Sequence, residues 1–406
     1  MNKLKIGVIG AGAAGYFAAI HAAGSQTEVF LLEKTSKTLA KVKISGGGRC
    51  NVTHNALEVS KLSKNYPRGE KFLKKVFRHF SVKDTIDWFE SRGVKLKVES
   101  DGRMFPVSDS SQSIIDALEK EAEKLKVAVL KSFNVHKISI SKGMFEVSDG
   151  KRELIFDRLI ICSGGNPKKE GFNYIQQLGH AIVPPIPSLF TFNTPQEPLR
   201  KLMGISVPNA HVRLESTKLS YEGPLLITHW GVSGPAVLKL SAFGAQWLYE
   251  HEYQTNAHIR WNASHSESDI EKHLINFKIQ HPKKKISKNP LFDLPSRLWE
   301  HLTQTAEIEE NLLWQDISKK YFNRLVQNLF CYIVAVKGKT TFKEEFVTAG
   351  GVDISEVNPE TMESRIIKGL FFAGEVLNID GITGGFNFQA AWSTGYLAGS
   401  NVNHPK

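Results

Sequence analysis

Cysteine is scarce in this sequence: three residues in 406, Cys50, Cys162 and Cys331, far apart and odd in number. No Cys-x-x-Cys pair occurs, which excludes zinc sites of that kind and the second redox-active dithiol of a thioredoxin-reductase type of flavoenzyme. The same sparseness fits a reducing cytoplasm. Long apolar runs are also missing: none approaches the roughly 20 residues a membrane-spanning helix needs, so no membrane association is expected. Internal repeats and low-complexity tracts are absent. Acidic residues are in deficit, with 41 Asp and Glu against 52 Lys and Arg, a formal net charge of +11. That imbalance suggests a polyanionic partner such as nucleic acid, although many basic proteins bind none. Apolar and charged fractions of 41% and 23% are those of an ordinary soluble globular protein. The length suggests two or three domains.

Glycine, by contrast, is plentiful and placed. The chain opens with LKIGVIGAGAAGYFAAIHAAG (Leu4 to Gly24), which reads as a signal peptide or as a dinucleotide-binding turn. In the second reading every glycine has a task. KIGVIG is a short buried strand; Gly10 allows the tight turn, Gly12 lets backbone approach a pyrophosphate, and Gly15 lets a helix pack on the strand. The helix from Ala13 and Ala14 onward aims N–H groups at the phosphates. A second apolar run, EVFLLEK, ends in Glu33 and Lys34, with the acid about 20 residues on, where it binds the adenosine ribose. Strand, triplet, helix, strand and acid together exclude the signal peptide. Glu33, with no neighbouring arginine for a 2′-phosphate, favours FAD or NAD over NADP.

The C-terminal stretch GLFFAGEVLNIDGITGGFNFQAAWSTGYLAG (Gly369 to Gly399) decides for FAD. It reads as strand, glycine-rich loop and helix, and is similar to the second FAD signature of glutathione-reductase-like flavoproteins. That resemblance assigns Gly374 and Glu375 to the ribityl chain, with Glu375 where Asp is usual. It points the next helix, with Gly384, Gly385, Asn387, Phe388 and Gln389, at the flavin, whose reduced anion a positive helix end favours. DRLIICSGG (Asp157 to Gly165), with Gly164, resembles the intermediate strand and turn of the same fold.

Between these ends, KISGGGRCNVTHN (Lys43 to Asn55) presents Gly47 and Gly48 as backbone donors, with Arg49 adding charge and Cys50 adjacent. In KLSKNYPRGEKFLKKVFRHF (Lys61 to Phe80), helical spacing puts Phe72, Leu73, Val76, Phe77 and Phe80 on an apolar face and Lys71, Lys74, Lys75 and Arg78 on a cationic one. Such a stripe is usually a solvated face; interleaved Tyr66 and His79, with the overall charge, raise an RNA-contact reading. A helix is expected from Asp84 to Arg92, capped by Ser81. Another is expected after an Asp109-x-x-Gln112 capping box. From Val127 to Cys162, short strands with turns at Lys142-Gly143 and Asp149-Gly150 suggest an antiparallel meander. From Pro187 to Lys343 the pattern changes to β-like runs, including LLITHWGVSGPAVLKLS, and then helical stretches from Arg297 to Ala335. No second Gly-x-Gly-x-x-Gly occurs, so this reads as an inserted substrate domain. The expected division is a discontinuous FAD-binding domain, 1–186 with 344–406, and an insert, 187–343.

KISGGGRCNVTH, GRMFPVSD, THWGVSGP, FVTAGGVDISEVNPETMES and the C-terminal signature together resemble the YhiN/BaiN-like NAD(P)/FAD-dependent oxidoreductases over nearly the whole chain. The resemblance implies an α/β fold: a Rossmann-type, glutathione-reductase-like FAD domain from both chain ends, interrupted by a β-rich plus helical substrate domain. The lead TLAKVKISGGG is less regular than the family's, and Asn378 and Phe386 stand where Asp and Tyr are common. Relatives are linked to reduction of steroid C=C bonds, to amine oxidation, and to reduction of uridine to dihydrouridine in large-subunit ribosomal RNA. The resemblance therefore specifies the cofactor better than the reaction.

Two residues are candidate proton donors. Cys50 is a protonated thiol near the flavin, or a small buried filler beside the glycine loop, the second being preferred. His229 lines the pocket, or is satisfied in the insert core. The expected activity is FAD-dependent reduction of a polarised C=C bond, with uridine in ribosomal RNA first and NAD(P)H a transient electron donor. Hydride goes to C6 and a proton to C5, and the base is unstacked to reach the flavin. The alternatives are a small-molecule flavin reductase or amine oxidase, and a non-catalytic FAD-stabilised RNA-binding factor.

Overall fold

The computed structural model describes residues 3–340 and 347–403. β1 (Leu4–Ile9) lies in the middle of a five-stranded sheet, between Arg158–Ile161 and β2 (Thr27–Leu32). The order runs Leu370–Phe372, Arg158–Ile161, β1, β2, Ala128–Leu130, and every ladder is parallel. Parallel strands are covered on both faces, which is why these segments are almost continuously apolar in sequence. α1 (Ala13–Ala22) connects β1 to β2 and packs along the C-terminal helix Phe386–Asn401. Small residues permit that approach: a Cβ on Gly395 would lie 2.7 Å from the Ala14 carbonyl oxygen, and one on Gly399 2.3 Å from that of Ala18.

The chain divides into two compact units, Met1–Ser188 with Lys343–Lys406, and Leu189–Phe342. The expected second boundary at 343/344, and Phe346 at the head of FVTAGGV, lie outside the described residues. In the first unit, Lys137–Ser141, Met144–Ser148 and Glu153–Phe156 form an antiparallel meander. Ala128–Leu130, read as part of it, joins the parallel sheet instead, beside β2. The helix expected from Asp84 begins at Val82, closed by a Ser81–Asp84 capping box. The Asp109–Gln112 box does not form. Ser110 caps the helix Ser111–Lys124, while the Asp109 carboxylate is drawn to Lys97 and Arg49.

The second unit is built on a seven-stranded sheet whose paired strands are all antiparallel. Helices pack on it around Trp299, Trp314, Leu298 and Leu325, all buried. Two expectations fail here. Pro235–Phe243, read with the β-like runs, is a helix with Pro in its first turn, where the missing N–H costs nothing. The helical reading to Ala335 ends at Phe330, and Tyr332–Lys337 is a strand in which buried positions alternate, the period-two signature.

Candidate functional site

The turn after β1 separates the jobs of its three glycines. Gly10 has φ +101°, and a Cβ there would stand 2.4 Å from the Cys162 carbonyl oxygen. On Gly15 a Cβ would lie 1.8 Å from the Gly10 carbonyl oxygen, so the helix closes on the strand only if this residue is bare. A Cβ on Gly12 would meet no protein atom within 4 Å. Bare backbone here faces open space at the start of α1, and Gly12 provides no side-chain cap for the first N–H groups. Ala14 is buried beneath the turn, and Ala13 begins the helix at its mouth.

Glu33 directly follows β2, beside this cradle. Its Oε2 accepts from the Ala11 N–H at 3.1 Å, and its Oε1 accepts from the Thr35 N–H and hydroxyl, both at 2.9 Å. These bonds fix the carboxylate and leave lone pairs for two hydroxyl groups. Lys34, the next residue, is exposed.

The C-terminal signature closes on the same cradle. Gly374 has φ +77°, and a Cβ on it would approach the Ala14 Cβ to 2.7 Å. Glu375, one residue on, sits 3.0 Å from where a Cβ on Gly165 would be, so Gly164 and Gly165 form the turn opposite. Its Oε2 accepts from Lys41 Nζ at 2.6 Å, across 334 residues of sequence. Lys41 belongs to α2 (Ala40–Gly48) and was not singled out from the sequence; no local pattern announces that contact.

Gly384 and Gly385, at φ +123° and +91°, lead into the C-terminal helix, which no side chain caps. Asn387 and Gln389 are both bonded to the protein's own groups. Asn387 accepts from the Gly381 N–H at 2.7 Å and donates to its carbonyl at 3.0 Å, stapling the loop. Gln389 is fully buried, accepting from the Thr53 and Thr85 hydroxyls and donating to Ser393. Phe388 stacks on Trp392. His54, missed from the sequence, stacks on Phe386 with ring centroids 4.6 Å apart, and its Nδ1 lies 3.1 Å from the Gly384 oxygen.

In α2 the helix breaks at Ser45, and Gly46 and Gly47 follow in left-handed conformation. A Cβ on Gly47 or Gly48 would meet nothing within 4 Å, so both remain open backbone. Arg49 differs from expectation: its guanidinium pairs with Glu99 at 2.6 Å and covers Phe105, so its charge is already matched. Cys50 has no exposed surface. Burial pushes its thiol up to about 12, with a smaller opposing effect from a hydrogen bond with Ser45. That enclosure beside the crowded glycine loop favours the filler reading of Cys50 over the proton-donor one.

His229 lies in the second unit on the exposed turn between Ser220–Ile227 and Gly231–Ser233, its ring against Trp230. It is not satisfied in the insert core. Arg200 Nε donates to its carbonyl at 2.7 Å, which steadies the turn.

The stretch from Lys61 to Phe80 is not one helix. Pro67 and Gly69 divide it into Val59–Ser63 and Glu70–Val76. Phe72, Leu73, Val76, Phe77 and Phe80 are buried, and Lys71, Lys74, Lys75 and Arg78 are exposed. Tyr66 is no stacking surface: it is buried, and its hydroxyl donates to the Phe386 carbonyl at 2.7 Å. His79 is paired with Glu360.

An open cradle at Gly12, uncapped starts of two helices and a fixed carboxylate at Glu33 fit a dinucleotide of the FAD type. Comparison with known proteins agrees. The family described as HI0933-like protein Rossmann domain matches residues 4–401. A 3-dehydro-bile acid delta(4,6)-reductase of Clostridium scindens is 30% identical, covering 97% of this chain and 98% of its own. A ribosomal RNA dihydrouridine synthase of Escherichia coli is also 30% identical, covering 99% of this chain and 98% of its own. Among solved structures, a 3-ketosteroid-delta4-(5alpha)-dehydrogenase from Rhodococcus jostii, in complex with 4-androstene-3,17-dione, superposes with a TM-score of 0.52 at 15% identity. That match covers 100% of this chain and 98% of the other, and shows a shared fold.

Proposed function

The chain belongs to the HI0933-like Rossmann family and is an FAD-dependent oxidoreductase; from that premise we propose that it reduces uridine to dihydrouridine in large-subunit ribosomal RNA. NAD(P)H is the transient reductant in this reading. One hydride and one proton add across the C5=C6 bond, at C6 and C5 respectively, and the reductant leaves oxidised. The observation that carries the substrate is the exposed cationic stripe of Lys71, Lys74, Lys75 and Arg78 on the cofactor-binding unit of a chain with net charge +11. A polyanionic substrate would use this stripe, whereas a neutral one would leave it a solvated face.

Bound FAD supplies the two-electron chemistry that no side chain can. The protein's own groups hold it. The N–H groups at Gly12, Ala13 and Ala14 take the pyrophosphate, Glu33 the adenosine ribose, and Glu375, held by Lys41, the ribityl hydroxyls. Gly384 and Gly385 lead into the uncapped C-terminal helix, whose first N–H groups would stabilise negative charge on the bound ring system. Gly47, Gly48 and Gly164, where an added Cβ would meet nothing within 4 Å, would offer further bare backbone to it. Cys50, with no exposed surface, is set aside as the proton donor.

A second reading, reduction of a small conjugated carbonyl compound, has the bile acid reductase relative in its favour at equal identity. The test is the dihydrouridine content of ribosomal RNA from the source organism with and without the gene. Loss that is restored by the gene, but not by Gly12→Val, is the expected result. Unchanged dihydrouridine overturns the RNA reading in favour of the second.

A further inference from the structure

The cofactor-binding unit carries a second concave site. Helix Glu70–Val76 forms one wall and residues 353–365 the other, enclosing an open cleft of about 330 Å³. Lys71, Lys75 and Arg365 line it, and all three are exposed. Among the described residues none of them has a carboxylate in salt-bridge range, whereas Lys41, Arg49, Arg68, Arg92, Lys97 and Arg103 of the same unit are each paired. Four acids stand on the 353–365 wall, and of these Asp353 lines the cleft; Glu356 is held by His180, and Glu363 accepts from the Gly369 N–H at 2.8 Å. Asp353 accepts from the Ser355 N–H at 2.9 Å, and Glu360 is taken by His79. Three cations against the single carboxylate lining the cleft repel one another until an anion arrives.

The cleft is tied to the cofactor loops at both walls. Gly69, at the helix start, sits so close to Ile379 that a Cβ there would come within 2.5 Å of its Cγ2. The neighbouring Arg68 is ion-paired to the buried Asp380. On the other wall Asp353 follows Val352, which bridges to Leu377. Both walls are thus rooted in residues 377–380, the segment that runs on to Gly384 and Gly385. Phe72, Ile354 and Pro359 give the cleft an apolar floor, and the exposed Ser355 adds a hydroxyl. Phosphates spaced along a hydroxyl-bearing backbone match the three cations and the serine hydroxyl.

We propose that this cleft binds the phosphodiester backbone of the RNA substrate, with Lys71, Lys75 and Arg365 each neutralising phosphate charge. The proposal rests on the RNA reading above and adds Arg365, which the cationic stripe alone does not include. Lys74 and Arg78 lie outside the lining.

The test uses the FAD-loaded protein and an unmodified transcript of large-subunit ribosomal RNA, with Kd measured across a salt series. Lys71→Glu, Lys75→Glu and Arg365→Glu, combined, are compared with Lys142→Glu and Lys151→Glu, two exposed lysines on the meander. For single-stranded RNA each lost phosphate contact lowers the slope of log K against log salt by about 0.7, so the cleft variant should lose about 2. The meander variant should keep the parental slope. Equal slopes in wild type and cleft variant, while the wild type still makes dihydrouridine, overturn the cleft and leave the function standing. A wild type that neither binds the transcript salt-dependently nor makes dihydrouridine overturns both. FAD absorbance per chain reports folding. If the reversed variant loses it, the corresponding glutamine substitutions read the same slope.

Discussion

A side chain added at Gly12 meets no protein atom within 4 Å of its Cβ, while one added at Gly15 would lie 1.8 Å from backbone oxygen. The two positions therefore respond differently to the same substitution. Gly12→Val fills the cradle without disturbing the fold: the protein should carry no FAD absorbance and melt near the temperature of FAD-stripped wild type. Gly15→Val should yield little folded protein, because the helix can no longer close on β1. Equal loss of fold in both, followed by circular dichroism, would show that Gly12 is structural too. Cys50 allows an equally sharp statement. Removing a true general acid costs about 10²–10⁴-fold in rate. Because the thiol is buried and pushed up to about 12, Cys50→Ser should retain most turnover, and a loss of that size would restore it as a catalytic candidate.

At the scale of elements, the packing of α1 against its neighbours makes a pH-sensitive contact. His21, in the last turn, has its ring against Phe17 and Tyr396, with centroids 4.8 Å away in each case. Its Nδ1 lies 2.7 Å from the Phe17 carbonyl oxygen, to which it donates. Burial, reinforced by the nearby Arg92 charge, lowers the imidazole from 6.5 to about 4, although the bond to Phe17 opposes this. The unfolded chain thus takes up a proton below about pH 6.5 that the folded chain refuses until about pH 4. Stability from this residue is full above the higher value and is lost as pH falls through the window. The loss amounts to at most about 3 kcal/mol by linkage. His21→Leu should flatten the acid side of a plot of urea midpoint against pH; an unchanged curve would place the acid sensitivity elsewhere. The helix from Glu70 makes a related point about elements. Its apolar face was legible from spacing, but its start was set by Pro67 and Gly69 and by the pull of Arg68 toward Asp380.

For the whole molecule, charge separates the rival substrates. An RNA substrate makes binding fall linearly with log salt, by about 0.7 in log K per phosphate contact. A small neutral enone should bind almost independently of salt, because burial of apolar area carries no counterion release. A flat salt profile for the physiological substrate would therefore favour the small-molecule reading. The cofactor half of the molecule was legible in the primary structure because its signals are local. Glycines at fixed spacing, apolar runs of parallel strands and an acid at a strand end are dictated by backbone sterics and by the need to cover both sheet faces. The same is true of the β-rich and helical insert, though not of its details. A run such as Pro235–Phe243 is apolar in either conformation, and only its neighbours select helix. What local pattern could not supply are the pairings across the chain: Lys41 with Glu375 over 334 residues, Gln389 with Thr53 and Thr85, Arg49 with Glu99. A charged or amide side chain can serve a ligand or a neighbour equally well, and which it serves depends on the group that folding brings within 3 Å.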